Sequence, residues 1–87
     1  MKNKVLIKLI VPELESNYDV FVPVNEIIWK VKKLLLKAVC DMSEIELDTS
    51  INYILMNKSN CKMYGNNEIL INTDIRNGTE LILFSKV

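Results

Sequence analysis

The side chains of this sequence that could carry out chemistry are two cysteines and several carboxylates. Their types and spacing do not favour catalysis. The chain has no histidine, the commonest general base in enzymes. Cys40 and Cys61 show no paired spacing, and neither has neighbours in the sequence that would lower a thiol pKa. A zinc site would need further ligands and a two-iron cluster would need four thiolates, so we expect neither metal nor cofactor.

Two other patterns associated with active sites are also weak. Glu44 and Glu46 lie in a polar segment, where we expect solvated carboxylates and not a tuned acid–base pair. Gly65 and Gly78 stand alone and form no phosphate-binding loop. The sequence therefore predicts a protein that is not an enzyme, without catalytic, cofactor-binding or metal-binding residues.

Net charge does not select a class of partner. Lysine plus arginine and aspartate plus glutamate balance at 11 each, and Arg76 is the single arginine, which leaves little capacity to bind nucleic acid. The apolar run at residues 5–11 is interrupted by Lys8, so we predict no signal peptide and no membrane insertion. We expect a cytoplasmic protein with reduced thiols.

The elements that must position any site are predicted from apolar spacing. Hydrophobic residues make up 49% of the 87 residues, which predicts one packed domain over residues 1–87. A first strand, central in the sheet, is predicted from alternation at period two, with a core face of Val5, Ile7, Leu9 and Val11. A second strand at residues 18–24 contains Pro23, which cannot donate to a ladder, so we place this strand at an edge.

One main helix is predicted from Asn25, a good N-cap, to about Cys40. Its core face is predicted from steps of three and four residues, and consists of Ile27, Ile28, Val31, Leu34, Leu35 and Ala38. Val24 is expected to pack on Trp29 as a hydrophobic staple. Residues 41–50 are acidic, and Ser43 favours a short helical turn there.

The remaining sequence predicts two short strands, at residues 53–56 and 61–64, and a loop at residues 68–74. Leu70 and Ile75 are expected to anchor this loop, although residues 69–71 could also form a strand. The Asn77-Gly78 turn leads into a last strand at residues 79–84. The predicted fold class is α+β, a five-stranded mixed sheet packed under one main helix.

This order of elements resembles a ubiquitin-like β-grasp domain, and it is most similar to the YukD/EsaB type that accompanies bacterial type VII secretion. The resemblance is carried by Tyr18-Asp19-Val20, by Ile28, Val31 and Leu35, and by Asn77-Gly78-Thr79-Glu80-Leu81. It implies a cytosolic accessory protein that is not conjugated to targets. Its partner would be a membrane component or an ATPase of the secretion system.

The end of the sequence bears on the alternatives. It reads Ser85-Lys86-Val87 and lacks the Gly-Gly pair of covalent modifiers, so we expect a protein-binding module that is not conjugated. A sulfur carrier or modifier that acts through an activated C-terminus is a less favoured alternative. A structural homodimer is another.

The first predicted interaction surface is the sheet face that the helix leaves open. It combines residues of the first and last strands that lie in the phase opposite to the core: Leu6, Lys8, Ile10, Ile82 and Phe84. Ubiquitin-like domains commonly use this face for partners, as the resemblance implies. Ordinary exposure of single apolar residues is the other interpretation.

The second predicted surface lies on the helix and consists of Trp29, Lys33 and Leu36. Trp29, Leu36 and Cys40 lie roughly 150° from the centre of the core stripe. Either residues 41–50 fold back over Leu36 and Cys40, or the helix forms a contact such as a homodimer. Three lysines line the same side, where a solvated face or an acidic partner explains them: Lys30, Lys33 and Lys37.

Overall fold

The computed structural model describes residues 3–48 and 50–85 and shows one helix packed on one face of a mixed sheet. Strands β1 (Lys4–Val11) and β2 (Ser16–Pro23) form an antiparallel hairpin. Its connection is a single 3₁₀ turn at Pro12–Leu14. Helix α1 (Ile28–Ser43) follows the hairpin. Lys86 and Val87, which belong to the ending discussed above, lie outside the described residues.

Two further strands complete the sheet. They are β3 (Tyr53–Asn57) and β4 (Glu80–Ser85), and a second 3₁₀ turn at Leu70–Asn72 lies between them in sequence. The strand order is β2-β1-β4-β3, in which β1 and β4 are parallel and the other pairs antiparallel. Strand β2 is therefore an edge strand, as predicted from Pro23. No helix in the described part of the chain is long and apolar enough to cross a membrane.

The core lies between α1 and the sheet, where alternating side chains from the strands meet one stripe of the helix. In β1, Ile7, Leu9 and Val11 are buried, while the even-numbered side chains lie on the other face. The buried positions of α1 recur at three- and four-residue steps, and they are Ile28, Val31, Leu35, Leu36 and Val39. Leu70 and Ile75 are also buried, so the predicted loop anchors are confirmed.

The predicted fifth strand at residues 61–64 is wrong, because the described sheet has four strands. This segment makes a single bridge to β3, between Met56 and Met63. Cys61 donates its N–H to the carbonyl of Asn57 at 2.8 Å and has a φ of 59°, which is a left-handed conformation and not an extended one. The chain therefore turns tightly after β3 before it can form a regular ladder.

The helix begins at Ile28 and not at Asn25, and no side chain caps it. Residues 24–26 form a turn and a bend, and Ile27 is extended and pairs with Ile69, just before the second 3₁₀ turn. Leu70 N–H donates to the carbonyl of Glu26 at 3.0 Å, and Ile28 N–H donates to the carbonyl of Glu68 at 2.8 Å. These long-range hydrogen bonds replace the predicted N-cap.

The predicted core face of α1 is wrong at Leu34, whose side chain is 46% exposed. Leu36, which was predicted to face a partner, is only 4% exposed. The buried side of the helix is centred between Ile28 and Leu35. Leu36 therefore lies on the side of Ile51 and Tyr53, and Leu34 lies on the outer side of the helix. Leu36 therefore offers almost no area to a partner.

The acidic segment after α1 contains no further helical turn in residues 44–48. The helix instead continues to Ser43, and Glu44 ends it with a left-handed φ of 59°. Leu47 N–H then donates to Cys40 Sγ at 3.4 Å, and the Leu47 side chain packs against the core. The segment thus folds back beside Cys40, which is the first of the two alternatives considered for it.

Candidate protein-binding face

The open face of the sheet carries an apolar patch that extends across three strands. Ile10 of β1 lies opposite Ile82 of β4, which in turn lies opposite Met56 of β3. One step further along the sheet, Phe84 lies opposite Ile54. We call these five side chains the apolar patch, and each of them is half-buried. Their contiguity follows from the register, because residues directly opposite on neighbouring strands share one face.

A row of alternating charges borders this patch. Lys8 of β1 lies between Asp19 of β2 and Glu80 of β4. Lys58 Nζ lies 3.9 Å from Glu80 Oε2 and continues the row beyond β3. All of these side chains are exposed, so each pair stabilises the fold by no more than about 1 kcal/mol. The row supplies both signs of charge beside the apolar patch.

On the other side of the charged row lies a separate apolar pair, Leu6 and Phe21, which are 38% and 54% exposed. The structure therefore brings three of the five predicted residues together and separates two. Ile10, Ile82 and Phe84 lie in the apolar patch, while Lys8 lies in the charged row and Leu6 beyond it.

The sequence reasoning missed part of this face, namely Phe21, Ile54, Met56 and Met63. A signal for two of them was present. In β3 the buried Tyr53 and Leu55 alternate with Ile54 and Met56, so period two alone places the latter pair on the open face. Met63 is 60% exposed and reaches the patch through its bridge to Met56, which depends on the tight turn after β3.

The second predicted surface surrounds the indole of Trp29, which is 40% exposed. Lys33 Nζ lies 5.2 Å and Lys30 Nζ 5.6 Å from the ring centroid, within the range of a cation–π interaction. Lys32 Nζ donates to Asn66 Oδ1 at 2.7 Å, and burial lowers the pKa of this lysine. Lys30 and Lys33 are thus grouped around one aromatic ring.

Clefts lie on both sides of Trp29. One has a volume of about 360 Å³ and lies between α1 and the entry to β3, with Lys33 and Leu36 in its wall. The structure therefore brings the three predicted residues of the second surface together, although Leu36 contributes from below the surface. The other cleft, of about 460 Å³, runs along the outer side of α1 past Leu34.

No family model matches this chain. No curated protein matches it either. Solved structures do match. A chain of the toluene 4-monooxygenase HD complex is similar with a TM-score of 0.77 at 6% identity, over 95% of this chain and 99% of that one. Ubiquitin of Caldiarchaeum subterraneum is similar with a TM-score of 0.65 at 20% identity, over 97% and 95%. The chain has the ubiquitin-like fold.

The same fold occurs within a chain of the ESX-5 inner membrane complex, with a TM-score of 0.68 at 13% identity. That match covers 95% of this chain and 21% of that chain. In the ubiquitin-like fold described here, the apolar patch lies on the sheet and the Trp29 clefts lie on the helix side. The two candidate surfaces are therefore separated by the core.

Proposed function

We propose that this chain is a non-enzymatic docking module of ubiquitin-like fold that binds a protein partner through the apolar patch. The observation that carries the proposal is the contiguity of Ile10, Ile82 and Met56 across three neighbouring strands. An apolar centre with a polar rim is the usual anatomy of a protein interface. The charged row through Lys8 and Glu80 forms one side of that rim.

The charged row would orient the partner more than it would strengthen binding. Exposed charges at the edge of an interface mainly affect association rate and register. The row from Asp19 through Lys8 and Glu80 to Lys58 contains two acids and two bases and carries no net charge, so a partner would need the complementary alternation to align with it. Most of the binding free energy would come from the apolar patch.

We further propose that the partner belongs to a type VII-like secretion apparatus, in which this chain acts as a cytoplasmic accessory. The resemblance to YukD/EsaB-type proteins supports this role, and so does the similarity to part of a chain of the ESX-5 inner membrane complex. The toluene 4-monooxygenase neighbour is also a chain of a complex. A membrane component or an ATPase of the apparatus would be the direct partner.

The test is capture of partners from native lysate by the tagged wild type and by Ile82→Asp. Ile71→Asp is the matched control, because Ile71 is an exposed isoleucine that lies away from the apolar patch, in the second 3₁₀ turn. We expect a secretion ATPase or membrane component to be retained by the wild type and the control and lost by Ile82→Asp. Phe84→Ser provides a milder change in the same patch.

Circular dichroism should show that each variant keeps its fold. Retention of the same partner by both patch variants would contradict the assigned surface. Retention of proteins from outside any secretion system would contradict the proposed role while leaving the surface intact. A ladder of adducts that survives denaturation would indicate a covalent modifier instead.

A further inference from the structure

Helix α1 carries its charges in the order opposite to the one that its dipole favours. Lys30, Lys32 and Lys33 lie in its first two turns, while its first turn contains no acid. Asp41 and Glu44 lie at the other end, where the last turn contains no base. The helix dipole stabilises acids near the N-terminus and bases near the C-terminus. This arrangement is unfavourable within a single copy of the chain.

Contacts within the chain do not compensate for this order of charges. The ion pair found in residues 3–48 and 50–85 joins Lys58 to Glu80 on the sheet and does not involve α1. Lys30 and Lys33 instead lie against the Trp29 ring. Within the described residues Lys32 donates to Asn66, while Lys30, Lys33, Asp41 and Glu44 form neither an ion pair nor a side-chain hydrogen bond.

Exposed apolar side chains accompany both charged regions. Trp29 is 40% and Leu34 46% exposed, and they border the cleft of about 460 Å³ on the outer side of α1. At the acidic end, Ile45 is 48% exposed and lies between Glu44 and Glu46. One end of the helix thus has an apolar cleft bordered by three lysines and by Glu26, and the other end has an apolar side chain with glutamates beside it.

We propose that a second copy of this chain covers the outer face of α1, with the two helices antiparallel around a two-fold axis near Lys37. The outward residues 30, 33, 37 and 41 recur at three- and four-residue steps, so they share one side of the helix, and Glu44 follows as its C-cap. Positions 30 and 44 are equally far from position 37, at about 10 Å each for a rise of 1.5 Å per residue. Lys30 of each copy therefore lies opposite Glu44 of the other.

The same antiparallel arrangement also pairs opposite charges closer to the two-fold axis. Lys33 of each copy lies opposite Asp41 of the other. Each of these contacts occurs twice, as a two-fold interface requires. The two Lys37 side chains meet at the axis, where their long stems can turn the charges outward to water. The two helix dipoles are also antiparallel in this arrangement.

A second copy fits this face better than other occupants because it carries the matching charge order. An anionic membrane surface would be repelled by Asp41 and Glu44 on the same side of the helix. A helix of 16 residues spans about 24 Å, so the pair buries less than the roughly 1,600 Å² of a standard interface. The dimer is therefore weak and sensitive to salt. It leaves the apolar patch free and does not depend on the proposed function.

The test uses two charge-reversal variants, measured alone and mixed. The first is Lys30→Glu with Lys33→Glu, and the second is Asp41→Lys with Glu44→Lys. Each change improves the match to the helix dipole, so both variants should fold. In sedimentation between about 10 µM and 1 mM, we expect the wild type to move toward a dimer, because small interfaces give affinities in this range. Each variant alone should stay monomeric, and the equimolar mixture should dimerise again.

A matched control replaces two lysines away from α1, Lys4→Glu with Lys62→Glu, and should dimerise like the wild type. Trp29 is the single tryptophan, so its emission should shift to shorter wavelength as the wild-type concentration rises. A wild type that stays monomeric up to about 1 mM overturns the proposal. So does a mixture that fails to dimerise, or a dimer that forms without any change in Trp29 emission.

Discussion

The hydroxyl of Tyr64 donates a hydrogen bond to Asp74 and accepts one from Asn57 Nδ2 at 3.2 Å. Tyr64 and Asn57 are both buried, so these bonds join the end of β3 to the segment that leads toward β4. Burial, followed by the hydrogen bond to Asp74, raises the pKa of Tyr64 to about 12. The hydroxyl therefore keeps its proton and remains a donor across the physiological range.

Replacement of Tyr64 by phenylalanine should lower the free energy of unfolding by about 1–2 kcal/mol, because the buried Asn57 amide loses its acceptor and Asp74 loses its donor. Urea denaturation measures this change. Tyr18→Phe is the control, since the part of the chain that the structure describes contains no hydrogen bond of the Tyr18 hydroxyl. An equal loss in both variants would show that the hydrogen bonds of Tyr64 do not stabilise the fold.

The same hydrogen bond predicts a pH dependence. It is the main reason that the pKa of Asp74 lies below the ordinary value of its carboxyl group. A carboxyl group whose pKa is lower in the folded state stabilises the fold above its unfolded pKa of about 3.9. That stability is lost as the pH falls through the folded pKa.

We therefore expect Asp74→Asn to flatten the decline in the urea midpoint between about pH 5 and pH 2. The effect should be smaller in a Tyr64→Phe background, because the main cause of the shift is then absent. Asp48 also has a lowered pKa, caused by hydrogen bonds from Ser50, and Asp48→Asn serves as a control that should not depend on Tyr64. Identical effects of Asp74→Asn in both backgrounds would contradict the assigned cause.

Much of the fold was predictable because strand faces follow from local alternation. Ile7 and Leu9 are buried where period two places them, and Pro23 correctly indicated an edge strand. The start of α1 was not predictable in this way. Asn25 is a good N-cap by residue type, but hydrogen bonds to residues 68–71 hold the chain in a non-helical turn there, and those bonds join parts of the chain that are distant in sequence.

The candidate site was predictable to the extent that it depends on which face of its strand each residue occupies. Ile10, Ile82 and Phe84 occupy the open face because they alternate with buried neighbours. Which of them meet depends on register: that between β1 and β4 pairs Ile10 with Ile82, and that between β1 and β2 pairs Leu6 with Phe21. Register depends on the connections between strands, and the sequence pattern alone does not determine it.

The two glycines of the chain provide a paired prediction, and one of them, Gly78, lies in the turn before β4. Gly78 has a φ of 85°, and a Cβ at this position would contact nothing within 4 Å. Gly78→Ala should therefore destabilise the fold by about 1 kcal/mol through backbone strain alone. At Gly65, which is not among the residues with positive φ, an added Cβ would make an ordinary contact with Glu68 at 3.5 Å.

Gly65→Ala should accordingly leave stability unchanged or raise it by up to about 1 kcal/mol, because alanine restricts the unfolded chain. Thermal unfolding of both variants provides the comparison. A destabilising Gly65→Ala together with a neutral Gly78→Ala would reverse the assignment of the strained position. The turn would then not require the left-handed conformation that the structure shows at Gly78.

Adjacent leucines of α1 distinguish the observed helix face from the one that the sequence pattern predicts. Leu35 is fully buried and Leu34 is 46% exposed. Leu35→Ala should lower the free energy of unfolding by about 2–5 kcal/mol, because it leaves a cavity under the helix. Leu34→Ala should change it by no more than about 0.5 kcal/mol, as is typical of surface positions.

Because both substitutions remove the same atoms, differences in helix propensity cancel, and the comparison measures burial alone. Equal losses would support the face predicted from the sequence, in which both leucines contact the sheet. Leu34→Ala also has a second expected effect. It removes apolar area from the cleft beside Trp29, so it should weaken self-association while leaving the monomer as stable as the wild type.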